Sequence, residues 1–228
     1  MMVVFEKSLP VRYIGHLDLM RSVQRALRRS GLPIRYSNGF NPHIQLSFAA
    51  PLSVGVVGMR EIMDVPVVGE PDSEDFAAVL RKTLPPALKV LSARIIPDDF
   101  PTLMALVAGS ELRVEIDPGA EADKVAEAFR RFMATDECVT LRRTKSGENQ
   151  TNIRPFIRDG SIKQTESGYT LRCTVINKRE GSLKPSVLMQ ALCEMAGVEA
   201  APYIAYRDRI LASGKDGTAI PLEEYIHG

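Results

Sequence analysis

The chain has 228 residues, 45% of them hydrophobic and 25% charged, with a formal net charge of +1. That is the make-up of an ordinary folded protein of one large domain or two small ones. Cys138, Cys173 and Cys193 are far apart and form no C-x-x-C pair, which suits reduced thiols rather than a disulfide framework or a zinc site. Glu6 and Lys7 interrupt the first apolar run, unlike a signal peptide, and no stretch approaches the ~18 apolar residues of a bilayer span. A cytoplasmic protein without membrane contact is expected. The near-zero charge is unevenly spread. Residues 1–50 hold seven basic against two acidic side chains, 51–141 nine against sixteen, and 142–228 thirteen against ten. Such a distribution presents basic patches to a polyanion, or is simply solvated surface charge.

In chain order, 2–7 read as a strand rich in β-branched and aromatic residues. Residues 16–30 read as a helix. Leu19, Met20, Val23, Ala26 and Leu27 share one face, and Arg21, Arg25, Arg28 and Arg29 the other. Gly31 caps it and Pro33 prevents continuation. A short extended piece at 34–36 leads into a loop punctuated by Asn38-Gly39 and Asn41-Pro42. Alternation predicts a strand over 44–48, a connection over 51–58 and a strand over 61–68. A helix at 73–83, N-capped by Asp72 or Ser73, ends before Pro85-Pro86 and is followed by a strand at 88–96.

Residues 97–102 read as a linker. A second round follows: a strand at 110–116, a helix at 120–134, strands at 138–143 and 152–157 around a turn at 145–148, a strand at 169–176, a helix at 185–195 and a strand at 200–210. The expected class is α+β, with two tandem ferredoxin-like (split β-α-β) halves and antiparallel sheets. The halves are 1–96 and 103–211, and 212–228 form a polar, loosely attached tail.

Arg21, Arg25 and Arg28 stand close together on one helix face, where like charges cost a few tenths of a kcal/mol per pair and Asp18 relieves only part. The stripe is either a phosphate contact or a solvated face. Asn38, Phe40, Asn41 and His43 add side-chain amides, an aromatic ring and an imidazole, groups that read and stack on unpaired bases. Alternatively the asparagines satisfy their own turn and Phe40 packs into the core. Arg142, Arg143 and Arg154 lie on a basic hairpin, which offers a second phosphate contact or a charged sheet edge. His16, Asp18 and His43 are candidates for acid–base or metal chemistry, but no nucleophile accompanies them and H-x-D is no metal signature. Gly181 to Pro185 form a helix entry whose N–H groups could receive an anion. No iron–sulfur cysteine run, phosphate loop or dinucleotide fingerprint is present, so no cofactor is expected.

The runs GHLDLMR (15–21), RALRRSGLPIRYSNGFNPH (25–43) and LSFAAPLSVG (46–55), with Glu61, closely resemble the radical SAM-linked protein family, domain of unknown function 2344. The likeness continues more loosely through NIRPFI (152–157) and LKPSVLMQAL (183–192). Gly15 stands where that family commonly has Ser, Asn152 where Asp is usual and Lys184 where Arg is. The resemblance implies a radical SAM protein as partner, since members are fused to one or encoded beside one, and RNA as a second partner, since their gene neighbours process RNA and ribosomes. Three readings follow. The chain is an RNA-binding or accessory module working with a separate radical SAM enzyme in RNA or ribosome modification. Or it is a small enzyme using His16, Asp18 and His43. Or it is a protein-docking subunit.

Overall fold

A computed structural model describes residues 1–144, 147–178, 181–214 and 216–225; the side chains of residues 142–144 and 148 lie outside the described residues. The first elements are β1 (Met2–Lys7), α1 (His16–Ser30), β2 (Ser47–Phe48), β3 (Val56–Asp64), α2 (Ser73–Thr83), β4 (Leu88–Arg94) and α3 (Leu103–Leu106). Then come β5 (Val107–Ile116), α4 (Ala120–Ala134), β6 (Val139–Thr144), β7 (Gly147–Asn152), β8 (Ile157–Thr165) and β9 (Gly168–Ile176). The last are α5 (Pro185–Ala196), β10 (Tyr203–Ser213), β11 (Ala219–Pro221) and α6 (Leu222–Tyr225). The architecture is α+β with mostly antiparallel strands. Among the described residues no helix is long and apolar enough to cross a membrane.

The chain divides into two compact units, Met1–Val107 with Arg207–Gly228, and Ala108–Tyr206. In the first, β1 lies between β4 and β3, antiparallel to both, and β2 pairs with β3. Val3 and Phe5 face a core with Leu19, Val23 and Leu27 of α1 and Phe76 and Leu80 of α2. Met2 and Val4 face another core with Ile62, Leu103, Ile210, Ala212 and Leu222. A sheet covered on both sides needs apolar residues at both parities, which is why β1 does not alternate.

This second core corrects the expectation for 212–228. Ala212 and Leu222 are buried and Ile220 and Tyr225 pack beside them, so these described residues of the tail form a covering layer and not a loose appendage. Residues 97–102 likewise contribute Phe100 to that core and lead into α3. The unit boundaries therefore differ from 1–96 and 103–211. The strand expected at 44–48 shrinks to β2, with Ile34↔Val67 and Tyr36↔Ile44 as isolated bridges. The strand expected from 61 begins at Val56, because Val56 and Val57 are buried and Gly58 pairs with Lys7.

In the second unit, β9 lies between β5 and β8, antiparallel to both. Phe129 and Phe132 of α4 and Leu188 and Leu192 of α5 are buried. The hairpin β6–β7 forms its own two-stranded sheet. The strand expected at 152–157 is replaced by a 3-10 turn at Arg154–Phe156, which Pro155 favours, and β8 follows it. Of the turn expected at 145–148, Lys145 and Ser146 lie outside the described residues, and Gly147 already belongs to β7.

Candidate functional site

Within the first unit, residues 12–55 form two contrasting pieces of surface. The first is a platform built over buried charge. Lys7 shares the strand parity of Val3 and Phe5, and a register irregularity between Phe5 and Lys7 re-aims its side chain. It is only 1% exposed. Its Nζ donates to the carbonyls of Arg12 (3.0 Å) and Ile14 (2.9 Å). Burial lowers its pKa; the nearby Glu61 carboxylate opposes that shift and the Arg207 guanidinium adds to it.

Glu61, 3% exposed, receives Arg207 Nε at 2.8 Å and Nη2 at 2.5 Å. The same guanidinium donates to the carbonyls of Pro51 (3.2 Å) and Ala50 (3.1 Å). Gly58 makes room for this pair, since a Cβ there would stand 2.3 Å from Glu61 Cγ. The Gly55 N–H, at a positive φ of 86°, donates to the Arg12 carbonyl at 2.9 Å and closes the platform. Lys7, buried, and Arg207, mostly buried, thus hold four carbonyls from two loops, and the buried Glu61 carboxylate offsets part of their charge. The platform presents Tyr13, 67% exposed, with Arg12 stacked 4.4 Å from its ring centre. Ile14, Leu17 and Val54 are exposed as well.

The second piece is the outer face of α1 with the loop 37–43. The helix starts at Gly15 without a side-chain cap, as the replacement of Ser implies, and ends at Gly31 in the left-handed conformation. Arg21 pairs with Asp18 at 3.1 Å, both exposed, and Arg29 donates to the Thr83 carbonyl at 3.2 Å. Among the described residues, Arg25 and Arg28 have no hydrogen-bond or ion-pair partner. Gln24 lies about 40° around the helix from Arg28, and its Nε2 approaches the Ile44 carbonyl at 3.5 Å. This contact brings the end of the loop to the edge of the arginine face.

The neck of the loop is clasped by three hydrogen bonds. Ser37 N–H donates to the His43 carbonyl at 2.9 Å, His43 N–H donates to Ser37 Oγ at 3.1 Å, and Ser37 Oγ lies 2.8 Å from His43 Nδ1. Gly39, with φ 119°, supplies the reversal at the tip. Phe40 is fully exposed, which overturns the alternative that packs it into the core. The amides of Asn38 and Asn41 have no protein partner among the described residues, so they do not serve their own turn. Among the described residues, the exposed aromatic rings are Tyr13, Tyr36 and Phe40, all in this stretch.

His16, Asp18 and His43 have separate partners. The His16 ring meets Phe48 edge-on at 5.3 Å, Asp18 holds Arg21, and His43 holds Ser37. Among the described residues, no three His, Cys, Asp or Glu side chains come together as a metal-holding group.

Arg154 belongs to the second unit and is not free for phosphate. It donates to the carbonyls of Thr135 (3.1 Å), Ile157 (2.6 Å) and Met133 (3.4 Å), and lies 5.6 Å from the Phe132 ring centre. It closes the C-terminus of α4, where cations are favoured. Arg142 and Arg143 lie on β6, and their side chains fall outside the described residues. Asn152 accepts the N–H groups of Cys138 (2.9 Å) and Arg154 (3.1 Å) through its Oδ1, an acceptor's task that Asp would perform equally.

Sequence reasoning missed Lys7 and Arg207. A lysine at an inward strand parity was the available signal for the first. Arg207 had none, because its partner Glu61 lies 146 residues away.

The chain belongs to the family described as "Uncharacterized protein conserved in bacteria (DUF2344)", whose model matches residues 1–185. No curated protein matches it.

Proposed function

We propose that this DUF2344 protein is a cytoplasmic RNA-binding accessory module that works with a separate radical SAM enzyme in modifying RNA or ribosomal components. The observation that carries the RNA half is the juxtaposition on the first unit. Two guanidinium groups with no partner among the described residues, Arg25 and Arg28, stand on the helix face whose edge meets the Phe40 loop through Gln24 and Ile44. Guanidinium groups bind phosphate without regard to sequence, while exposed rings and amides bind bases. The exposed Arg21–Asp18 pair is weak enough to open for a phosphate. The radical SAM partner rests on the resemblance of the 15–55 motifs alone.

We read the scaffold as two split β-α-β halves. The order β4-β1-β3, with β2 beside β3, in the first unit supports this, as does β5-β9-β8 in the second, where the β6–β7 hairpin is an insertion after α4. Replacing Arg21, Arg25 and Arg28 together by Glu is expected to abolish binding to total RNA at low salt in a filter-retention assay. Undiminished binding would overturn the RNA reading.

A second reading, a docking subunit for the radical SAM protein, is favoured by the exposed Tyr13, Ile14, Leu17 and Val54 on the platform. Purification from cells with identification of bound RNA and protein separates the two. RNA retained without a protein partner speaks for the first, and a protein partner retained after RNase treatment, with no RNA protected, for the second.

A further inference from the structure

We infer, resting on the RNA reading above, that the site takes unpaired nucleotides, with a base stacked on Phe40 and the adjoining phosphates on Arg25 and Arg28. The Phe40 ring stands fully exposed at the loop tip, where nothing among the described residues covers either face. Its presentation is not loose, because three hydrogen bonds between Ser37 and His43 close the loop's neck. The neighbouring amides of Asn38 and Asn41 offer donors and acceptors that no protein group occupies among the described residues.

A base within a duplex has both faces stacked and its pairing edge engaged. It has no free face for Phe40 and no free pairing edge for the two amides. An unpaired base has a free π-face and a free edge. The arginines meet phosphates in either form. The loop therefore adds affinity only for single strands, and the arginine face contributes to both.

The test uses the full chain with a fluorescein-labelled 12-nucleotide single-stranded RNA of mixed sequence and the matching RNA duplex, read by anisotropy at low salt. The wild type is expected to bind the single strand at least 10-fold more tightly, an order-of-magnitude figure for stacking of one base. Phe40→Ala should weaken single-strand binding by about 5- to 150-fold and leave duplex binding within about 2-fold. Phe40→Trp should retain it. Because the ring packs on nothing, an unchanged melting curve for Phe40→Ala shows that the fold is intact.

If Phe40→Ala leaves single-strand binding unchanged while Arg25→Glu/Arg28→Glu removes it, the inference falls and the RNA reading stands. If neither RNA binds, both fall. The same strand as DNA, bound more tightly than the RNA, overturns the assignment to RNA.

Discussion

The platform and the loop come from one stretch of chain and are built in opposite ways. Under the platform, Lys7 and Arg207 direct their donors at the carbonyls of Arg12, Ile14, Ala50 and Pro51, with Glu61 buried between loop and sheet. In the loop, polar side chains have few protein partners and a phenyl ring faces solvent. Buried charge demands complete pairing, so the groups that build the platform are unavailable to a ligand. Groups left unpaired at the surface are the ones free to bind. The difference separates what shapes the site from what would touch a ligand.

The platform is most readily broken at Glu61. Glu61→Ala leaves the mostly buried Arg207 guanidinium without its counter-charge, and loss of one partner of a buried pair costs roughly 3–5 kcal/mol. Urea denaturation should register a loss of that size. A loss below about 1 kcal/mol, the range of a surface pair, would mean that the platform does not depend on its charges.

How far the sequence reveals each region follows from the range of its interactions. The helices α1 and α4 were legible from periodicity, and α2 and α5 from caps and prolines, all of them local signals. The covering role of Ala212 and Leu222 was not, because they acquire their meaning only from the second face of β1. The Glu61–Arg207 pair spans 146 residues and leaves no local trace. Arg154 looked like one more basic side chain, and only three converging carbonyls show it to be a helix cap. For the loop, composition named Asn38, Phe40, Asn41 and His43 as candidates, but whether the ring was buried or exposed depended on packing no local pattern encodes.

Lys7 gives the platform a pH signature. Its ordinary pKa is 10.5, and burial lowers it in the folded protein. Between the lowered value and 10.5 the unfolded chain holds a proton that the folded one has released, so Lys7 makes stability rise with pH across that window. Below both values the ammonium is present in either state and the contribution is flat, carrying the cost of burial. Urea midpoints measured from pH 8 to 10.5 should show this slope as the difference between wild type and Lys7→Met. Identical profiles would mean that the folded protein does not perturb Lys7.

The smallest expected effect distinguishes a presented ring from a merely exposed one. Ser37→Ala removes the hydroxyl that receives the His43 N–H and meets its Nδ1, and leaves the backbone bond from Ser37 to His43 in place. At an exposed neck the stability loss should be near 0.5–1 kcal/mol, that of ordinary hydrogen bonds. A looser neck makes a ligand order the loop on binding, and that cost appears as weaker affinity without any lost contact. Single-strand binding should fall by a few-fold, well short of the Phe40→Ala effect, and duplex binding should not change. If Ser37→Ala weakens binding as much as Phe40→Ala, the clasp itself touches the ligand, and the line between what shapes the site and what binds would have to be redrawn through His43.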